Sequence, residues 1–272
     1  MRRTTMPRLA VLAVIAALTA GGCGLGRAPG ESPPGSPGAA SSSAAPSPSP
    51  PSTPAVTPAP TGAPTSPPAA RTLALGMSGP DVKAVQARLA ALHYYPGRAD
   101  GSFGQDTLEA VWAFQEAQGL PATGTVGPAT RRALAAPRSP AVLVPGGGSM
   151  RVEVHLASHF LVLYVNDQVA LVSHVSTGGG YYYCSPAGGC GYAVTPTGDF
   201  ATTAFMPGWV TVPLGQMYNP VFFIGTAFAI HGDTDVPLEP VSHGCVRIPM
   251  DIAQFFHTLL RTPGTPVYIR AA

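Results

Sequence analysis

Charge is what this sequence has least of: only 10% of its 272 residues are Asp, Glu, Lys or Arg, and Lys83 is the single lysine. A nucleic-acid binder needs a dense basic face, so that class of partner is excluded. The formal balance is +2, but Arg2, Arg3 and Arg8 precede the first apolar run, and without them it turns slightly negative. With Pro80 three residues before the only lysine, the Ser-x-x-Lys site of a penicillin-binding enzyme is excluded as well. No His-Glu-x-x-His or paired Cys-x-x-Cys pattern announces a zinc site. Nor is the first apolar run, residues 9–20, long enough to anchor the chain across a bilayer about 30 Å thick.

Glycine and proline, by contrast, number 32 each, and the prolines cluster. Fourteen lie between Pro29 and Pro68, in a stretch from Gly24 to Arg71 with one acid, Glu31, and no aromatic residue. Such a segment cannot bury enough apolar surface to fold. It reads as a spacer reaching about 40 Å if flexible and about 150 Å if polyproline-like throughout. Before it, a basic start and the short apolar run read as a signal peptide over residues 1–22. Ala20-Gly21-Gly22-Cys23 resembles the lipobox of bacterial lipoproteins, which implies that Cys23 is lipidated and becomes the mature N-terminus. Export implies an oxidising compartment.

Residues 72–136 read as a small three-helix unit. Val82, Val85, Leu89 and Leu92 recur at helical spacing after Gly79-Pro80. A second helix carries Leu108, Val111, Trp112 and Phe114 and stops at Gly119, and a third runs from near Pro128 through Leu134. Leu75-Gly76, Gly79-Pro80-Asp81-Val82, Val85-Gln86, Asp100-Gly101-Ser102-Phe103-Gly104, Phe114-Gln115 and Gly119-Leu120 together resemble a peptidoglycan-binding type 1 domain. The resemblance implies a wall-binding module without catalytic activity. Residues 137–149 have linker composition at both ends, with an apolar stretch, Ala141-Val142-Leu143-Val144, that is able to dock on a neighbour. From residue 150 to 272 the period changes: Phe160 to Val165 and Val169 to Val175 flank Asn166-Asp167-Gln168, a hairpin signal, and further short β-rich runs follow. One amphipathic helix with Ile252, Phe255, Phe256, Leu259 and Leu260 inward precedes a last strand. The fold class is therefore multidomain, with a small helical unit followed by a mainly β domain.

Four cysteines are present: Cys23, Cys184, Cys190 and Cys245. Cys184 and Cys190 lie close together in a Gly- and Tyr-rich loop, as a disulfide, as free thiols or as metal ligands. If they pair and Cys23 is lipidated, Cys245 is the leftover thiol, in Ser242-His243-Gly244-Cys245-Val246-Arg247 and downstream of His231-Gly232. A thiol beside a histidine suits nucleophilic acyl transfer, and small neighbours leave main-chain N–H groups open to a carbonyl oxygen. A metal site of His231, Asp233, His243 and Cys245 is the competing reading of the same residues.

Val175-Ser176-Thr177-Gly178, Thr195-Pro196-Thr197-Gly198-Asp199-Phe200, Ile230-His231-Gly232 and the Ser242 to Arg247 run resemble, in order, the L,D-transpeptidase catalytic domain (the YkuD family). The resemblance implies a β-sandwich over residues 150–272. It makes Cys245 the nucleophile and His231 its general base, oriented by a backbone carbonyl near Gly232. His243 and Arg247 would shape the pocket, Ser242 and Gly244 would hold the nucleophile loop, and the Gly244 and Cys245 amides would form the oxyanion hole. It further implies no cofactor or metal, peptidoglycan stems as donor and acceptor, and acylation by carbapenem-type β-lactams. The Cys184 to Cys190 loop is expected to form part of a disulfide-pinned lid. Lipid anchoring would place the chain on the outer face of the cytoplasmic membrane, working in the wall. L,D-carboxypeptidase action, a zinc peptidase and a non-catalytic wall tether are the alternatives.

Overall fold

The computed structural model describes residues 70–271. The expected signal peptide, the Cys23 lipidation site and the spacer as far as residue 69 lie outside the described residues. Three helices come first: α1 (Pro80–Ala91), α2 (Gln105–Ala117) and α3 (Pro128–Ala135). Proline opens both α1 and α3, where its missing N–H is no loss. Two buried glutamines organise the loops between them. The Gln86 amide donates to the Ser102 carbonyl (2.9 Å) and Thr107 Oγ1 (3.0 Å) and accepts from the Gly101 N–H (2.8 Å). Gln115 repeats the arrangement one helix later, with the Thr125 carbonyl (2.9 Å), Thr130 Oγ1 (3.0 Å) and the Gly124 N–H (2.9 Å). Each amide thus saturates buried polar groups that would otherwise cost about 1–3 kcal/mol apiece.

The β part comprises β1 (Arg151–His155), β2 (Phe160–Val165), β3 (Gln168–His174), β4 (Tyr182–Cys184), β5 (Cys190–Tyr192), β6 (Gly198–Ala201), β7 (Ala204–Phe205), β8 (Trp209–Val212), β9 (Gly215–Ile224), β10 (Phe228–Asp233), β11 (Val246–Pro249) and β12 (Pro266–Arg270). One sheet has the order β3-β2-β1-β12-β6; the other has β11-β10-β9-β7, with β8 also on β9. A buried cluster drawn from both, including Val152, Leu161, Leu163, Phe223, Ile230, Ile248 and Ile269, lies between them. Asn166 (φ 53°) and Asp167 (φ 60°) turn β2 into β3, the left-handed pair that a tight hairpin demands.

β2 does not alternate in burial; its first five residues are all buried. Leu161 and Leu163 face the sandwich core, whereas Phe160, Val162 and Tyr164, with Val172 of β3, share a cluster with Leu73, Val82, Leu89, Val111 and Phe114 of the helical unit. The helices therefore cover the outer face of the first sheet. The Val172 N–H also donates to the His93 carbonyl (2.9 Å), which occupies part of the β3 edge. The described residues all belong to one compact unit.

Residues 137–149 dock through Leu143 and Val144, inside the apolar stretch that the sequence left open to packing on a neighbour. The cause is Glu153, whose buried carboxylate needs donors in the middle of β1. It takes Nε of Arg151 (2.7 Å) and the main-chain N–H groups of Leu143 (2.7 Å) and Val144 (3.4 Å). Tyr268 donates to the Gly147 carbonyl, and Gln118 exchanges two hydrogen bonds with the Arg138 backbone. Arg71, placed at the end of the spacer by composition, pairs with Asp81 at 2.7 Å and belongs to the folded unit. The expected C-terminal amphipathic helix is broken into α4 (Met250–Ala253) and a 3-10 turn, Phe256–Leu259. Ile252, Phe256 and Leu260 still point inward, while Phe255 and Leu259 are only half-buried. Phe-Phe-His-Thr favours helix weakly, and the Thr258 hydroxyl bonds the Phe255 carbonyl at 2.7 Å. Among the described residues no helix is long and apolar enough to cross a membrane.

Candidate active site

β10 and β11 run parallel, with Ile230 opposite Val246 and His231 opposite Arg247. Cys245 immediately precedes β11. His231 pairs with Arg247 across the two strands, one residue beyond the partner of Ile230, so the nucleophile turn and the β10 histidine lie at neighbouring positions of the sheet. Cys245 and His231 both line one cleft of about 960 Å³. Cys245 is the free thiol among the described residues, and Cys184 and Cys190 are joined as a disulfide.

The turn that presents Cys245 is fixed from several sides. Ser242 Oγ donates to the Cys245 carbonyl (2.6 Å) and accepts from the Gly244 N–H (3.0 Å). Thr195 Oγ1 donates to the Gly244 carbonyl (2.8 Å) and accepts from the Gly178 N–H (2.9 Å). Main-chain pairs join Ser242 to Thr177 and Arg247 to Ser176, and Ser176 Oγ holds the Glu239 carbonyl at 2.8 Å. Gly244 has φ 131°, and a Cβ there would sit 2.6 Å from the Phe228 ring, so only glycine fits this turn. The motifs read in the sequence thus converge physically. The roles of Ser176 and Thr195 were not assigned by sequence, although both lie inside quoted motifs; their contacts span 63 and 49 residues and leave no local signal.

His231 is buried, and its Nδ1 lies 2.9 Å from the Gly232 carbonyl. A carbonyl can only accept, so Nδ1 carries the proton and Nε2 is left as an acceptor. Burial holds this imidazole below its usual range, against the pull of the Gly232 carbonyl and Asp233. Burial also pushes the Cys245 thiol up, partly offset by the Ala229 N–H and Arg247. Both shifts favour the uncharged forms, thiol and imidazole. Of the two amides expected in an oxyanion hole, that of Gly244 is committed to Ser242 Oγ; that of Cys245 has no acceptor among the described residues.

Arg247 pairs with Asp233 at 3.2 Å and reaches the Asp235 carbonyl at 3.4 Å, bracing the loop that follows β10. His243 packs against Tyr181 (5.5 Å between centroids) and Tyr183 (4.7 Å). Burial and Arg247 both lower its pKa. Tyr183 and Ser185, from the disulfide-closed β4–β5 hairpin, line the cleft together with Trp209, Val212, Leu214 and Met217 of the β8–β9 hairpin. The competing metal set is not gathered: no group of three His, Cys, Asp or Glu side chains among the described residues is arranged to hold an ion.

Comparison with known proteins matches residues 149–269 to the L,D-transpeptidase catalytic domain family. A solved L,D-transpeptidase from Xylanimonas cellulosilytica is 36% identical, covers 75% of this chain and is itself covered completely, with a TM-score of 0.70. The chain belongs to the L,D-transpeptidase family. Residues 78–134 match a family of peptidoglycan binding domains, so a wall-binding type of domain precedes the L,D-transpeptidase domain. Among curated proteins, a probable N-acetylmuramoyl-L-alanine amidase of Bacillus licheniformis is 44% identical over 66 residues, 24% of this L,D-transpeptidase family chain and 19% of its own length. The amidase CwlM of Mycobacterium tuberculosis is 46% identical over 56 residues, 21% and 14% respectively. The chain spans less than a fifth of the length of these amidases.

Proposed function

We propose that the chain is a peptidoglycan L,D-transpeptidase that works through a Cys245 thioester and forms 3→3 cross-links. The observation that supports it best is the thiol of Cys245 sharing a cleft with a histidine whose tautomer is set by the Gly232 carbonyl, so that Nε2 can take a proton. The carbonyl carbon after the L-centre of the third stem residue, a diamino acid, is attacked by Cys245 sulfur as the thiol proton passes to His231. The Cys245 amide donates to the developing oxyanion. Collapse breaks the amide, the imidazolium returns its proton to the leaving amine, and D-Ala departs. A side-chain amine of a second stem then attacks the thioester, and the thiol is released.

Water in place of the amine would give L,D-carboxypeptidase action at the same site. A strained β-lactam carbonyl of the carbapenem type would acylate Cys245 by the same first step. The wall-binding domain would hold the cleft against peptidoglycan, and lipidation at Cys23 with the proline-rich spacer would anchor the chain outside the cytoplasmic membrane. The test incubates the full chain with disaccharide-tetrapeptide and follows intact-protein and product masses beside a Cys245→Ala control. The expected result is an adduct absent from the control and a cross-linked dimer lacking one D-Ala; a tripeptide monomer instead indicates the carboxypeptidase. Neither adduct nor product, with wall binding intact, would leave a non-catalytic tether.

A further inference from the structure

The β4–β5 hairpin has two faces with different fates. On its inner face Tyr181, Tyr183 and His243 pack against one another, and the Tyr181 hydroxyl donates to the Val241 carbonyl at 3.2 Å. On the outer face Tyr182 and Tyr192 are cross-strand partners, 5.3 Å apart at 69°, and remain 62% and 68% exposed. The Cys184–Cys190 disulfide follows them in register and holds the two strands together. Two large aromatic rings kept in water on a cross-linked support cost solvation, and the aromatic partner each has is the other. Rigid tyrosines of this kind lose little conformational freedom when a ligand arrives.

Between Ser176 and Gly198 there is no charged residue. A neutral face of phenol rings and hydroxyls matches a ligand that is itself neutral, with flat C–H faces edged by hydroxyl groups, which is the chemistry of a sugar ring. The opposite face of the same hairpin lines the cleft through Tyr183 and Ser185, so Tyr182 and Tyr192 stand on the outside of its wall. A stem peptide lying in the cleft is joined to a glycan strand at its other end. We propose that Tyr182 and Tyr192 form a glycan-contact subsite on the outer face of the hairpin that walls the cleft, one ring stacking on a sugar and the other meeting it edge-on. This rests on the L,D-transpeptidase reading and names which part of the substrate the hairpin recognises.

The test compares the full chain with Tyr182→Ala/Tyr192→Ala and Tyr182→Trp/Tyr192→Trp on two substrates, disaccharide-tetrapeptide and the free tetrapeptide. The ratio of kcat/KM for the first over the second falls roughly three- to tenfold in the alanine variant, the size expected for losing such aromatic contacts, and returns in the tryptophan variant. An unchanged ratio overturns the proposal. If the unaltered chain turns over neither substrate, the transpeptidase reading fails separately. Titration of the Cys245→Ala chain with the peptide-free disaccharide then decides: weaker binding after adding the two alanines supports the subsite, and equal affinity overturns it.

Discussion

The helical unit and the β domain are joined by a buried His174–Glu116 contact whose removal should be measurable. His174, at the end of β3, has no side-chain exposure, and Glu116 of α2 has 6%. Nδ1 of His174 lies 2.8 and 3.0 Å from the two Glu116 oxygens, and Nε2 lies 3.1 Å from the Pro237 carbonyl. Burial pulls the His174 pKa down, but the Glu116 hydrogen bond and charge and the Pro237 carbonyl outweigh it, and the net shift is upward. Burial raises Glu116 too, against the pull of His174. Glu109 and His159 are the other titratable groups that face this pair. His174→Phe removes one partner and strands the Glu116 carboxyl and the Pro237 carbonyl, at a cost of about 3–5 kcal/mol. With an urea dependence of about 2 kcal/mol per molar, the unfolding midpoint should fall by roughly 2 M. Trp112, whose ring lies 5.5 Å from that of His174, reports the contact by fluorescence. Combined with Glu116→Leu, the double variant should recover part of the loss, giving a coupling of about 1.5–3 kcal/mol. Because the folded His174 pKa is raised above 6.5, its contribution is complete below pH 6.5 and is lost as pH rises through the folded value. Coupling should thus be larger at pH 6 than at pH 9. Zero coupling, or coupling that grows with pH, would refute the assignment.

Acylation of Cys245 by a carbapenem, followed by intact mass, should show an acid limb set by His231. Since burial lowers that imidazole below 6.5, second-order rates should hold from neutral pH down to 6.5 and fall about tenfold per unit only below the depressed value. A limb with its midpoint at or above pH 6.5 would contradict a buried, neutral base. Ser242→Ala removes the hydroxyl that bridges the Cys245 carbonyl and the Gly244 N–H. Acylation should slow about ten- to a hundredfold while unfolding free energy drops by only about 1 kcal/mol, and Ser242→Thr should retain most of the rate. Equal rates in the alanine variant would show that the turn holds itself.

Local chemistry in the sequence determined a good deal. Two adjacent left-handed residues make the Asn166-Asp167 turn, proline opens two helices, and Cys184 and Cys190 are near enough in the chain for a short hairpin to bring them together. The thiol and histidine of the candidate site are legible because small residues and fixed motifs surround them. What composition could not show is where polar groups find partners across long separations. That the apolar stretch within residues 137–149 is able to dock could be read, but not that Glu153, in the middle of a strand, is what takes its N–H groups. The even burial of β2 follows from helices packed on a face that its own sequence does not name. The Gly244 amide looks free until the Ser242 hydroxyl turns back on it, and the His231 tautomer depends on which oxygen lies beside Nδ1. Glu116 and His174, 58 residues apart, meet only because the helical unit packs against the first sheet. Sequence fixes short-range backbone preference and the inventory of reactive groups, whereas the pairing of buried donors with acceptors is decided by tertiary packing, because an unpaired buried group costs more than a surface one ever could.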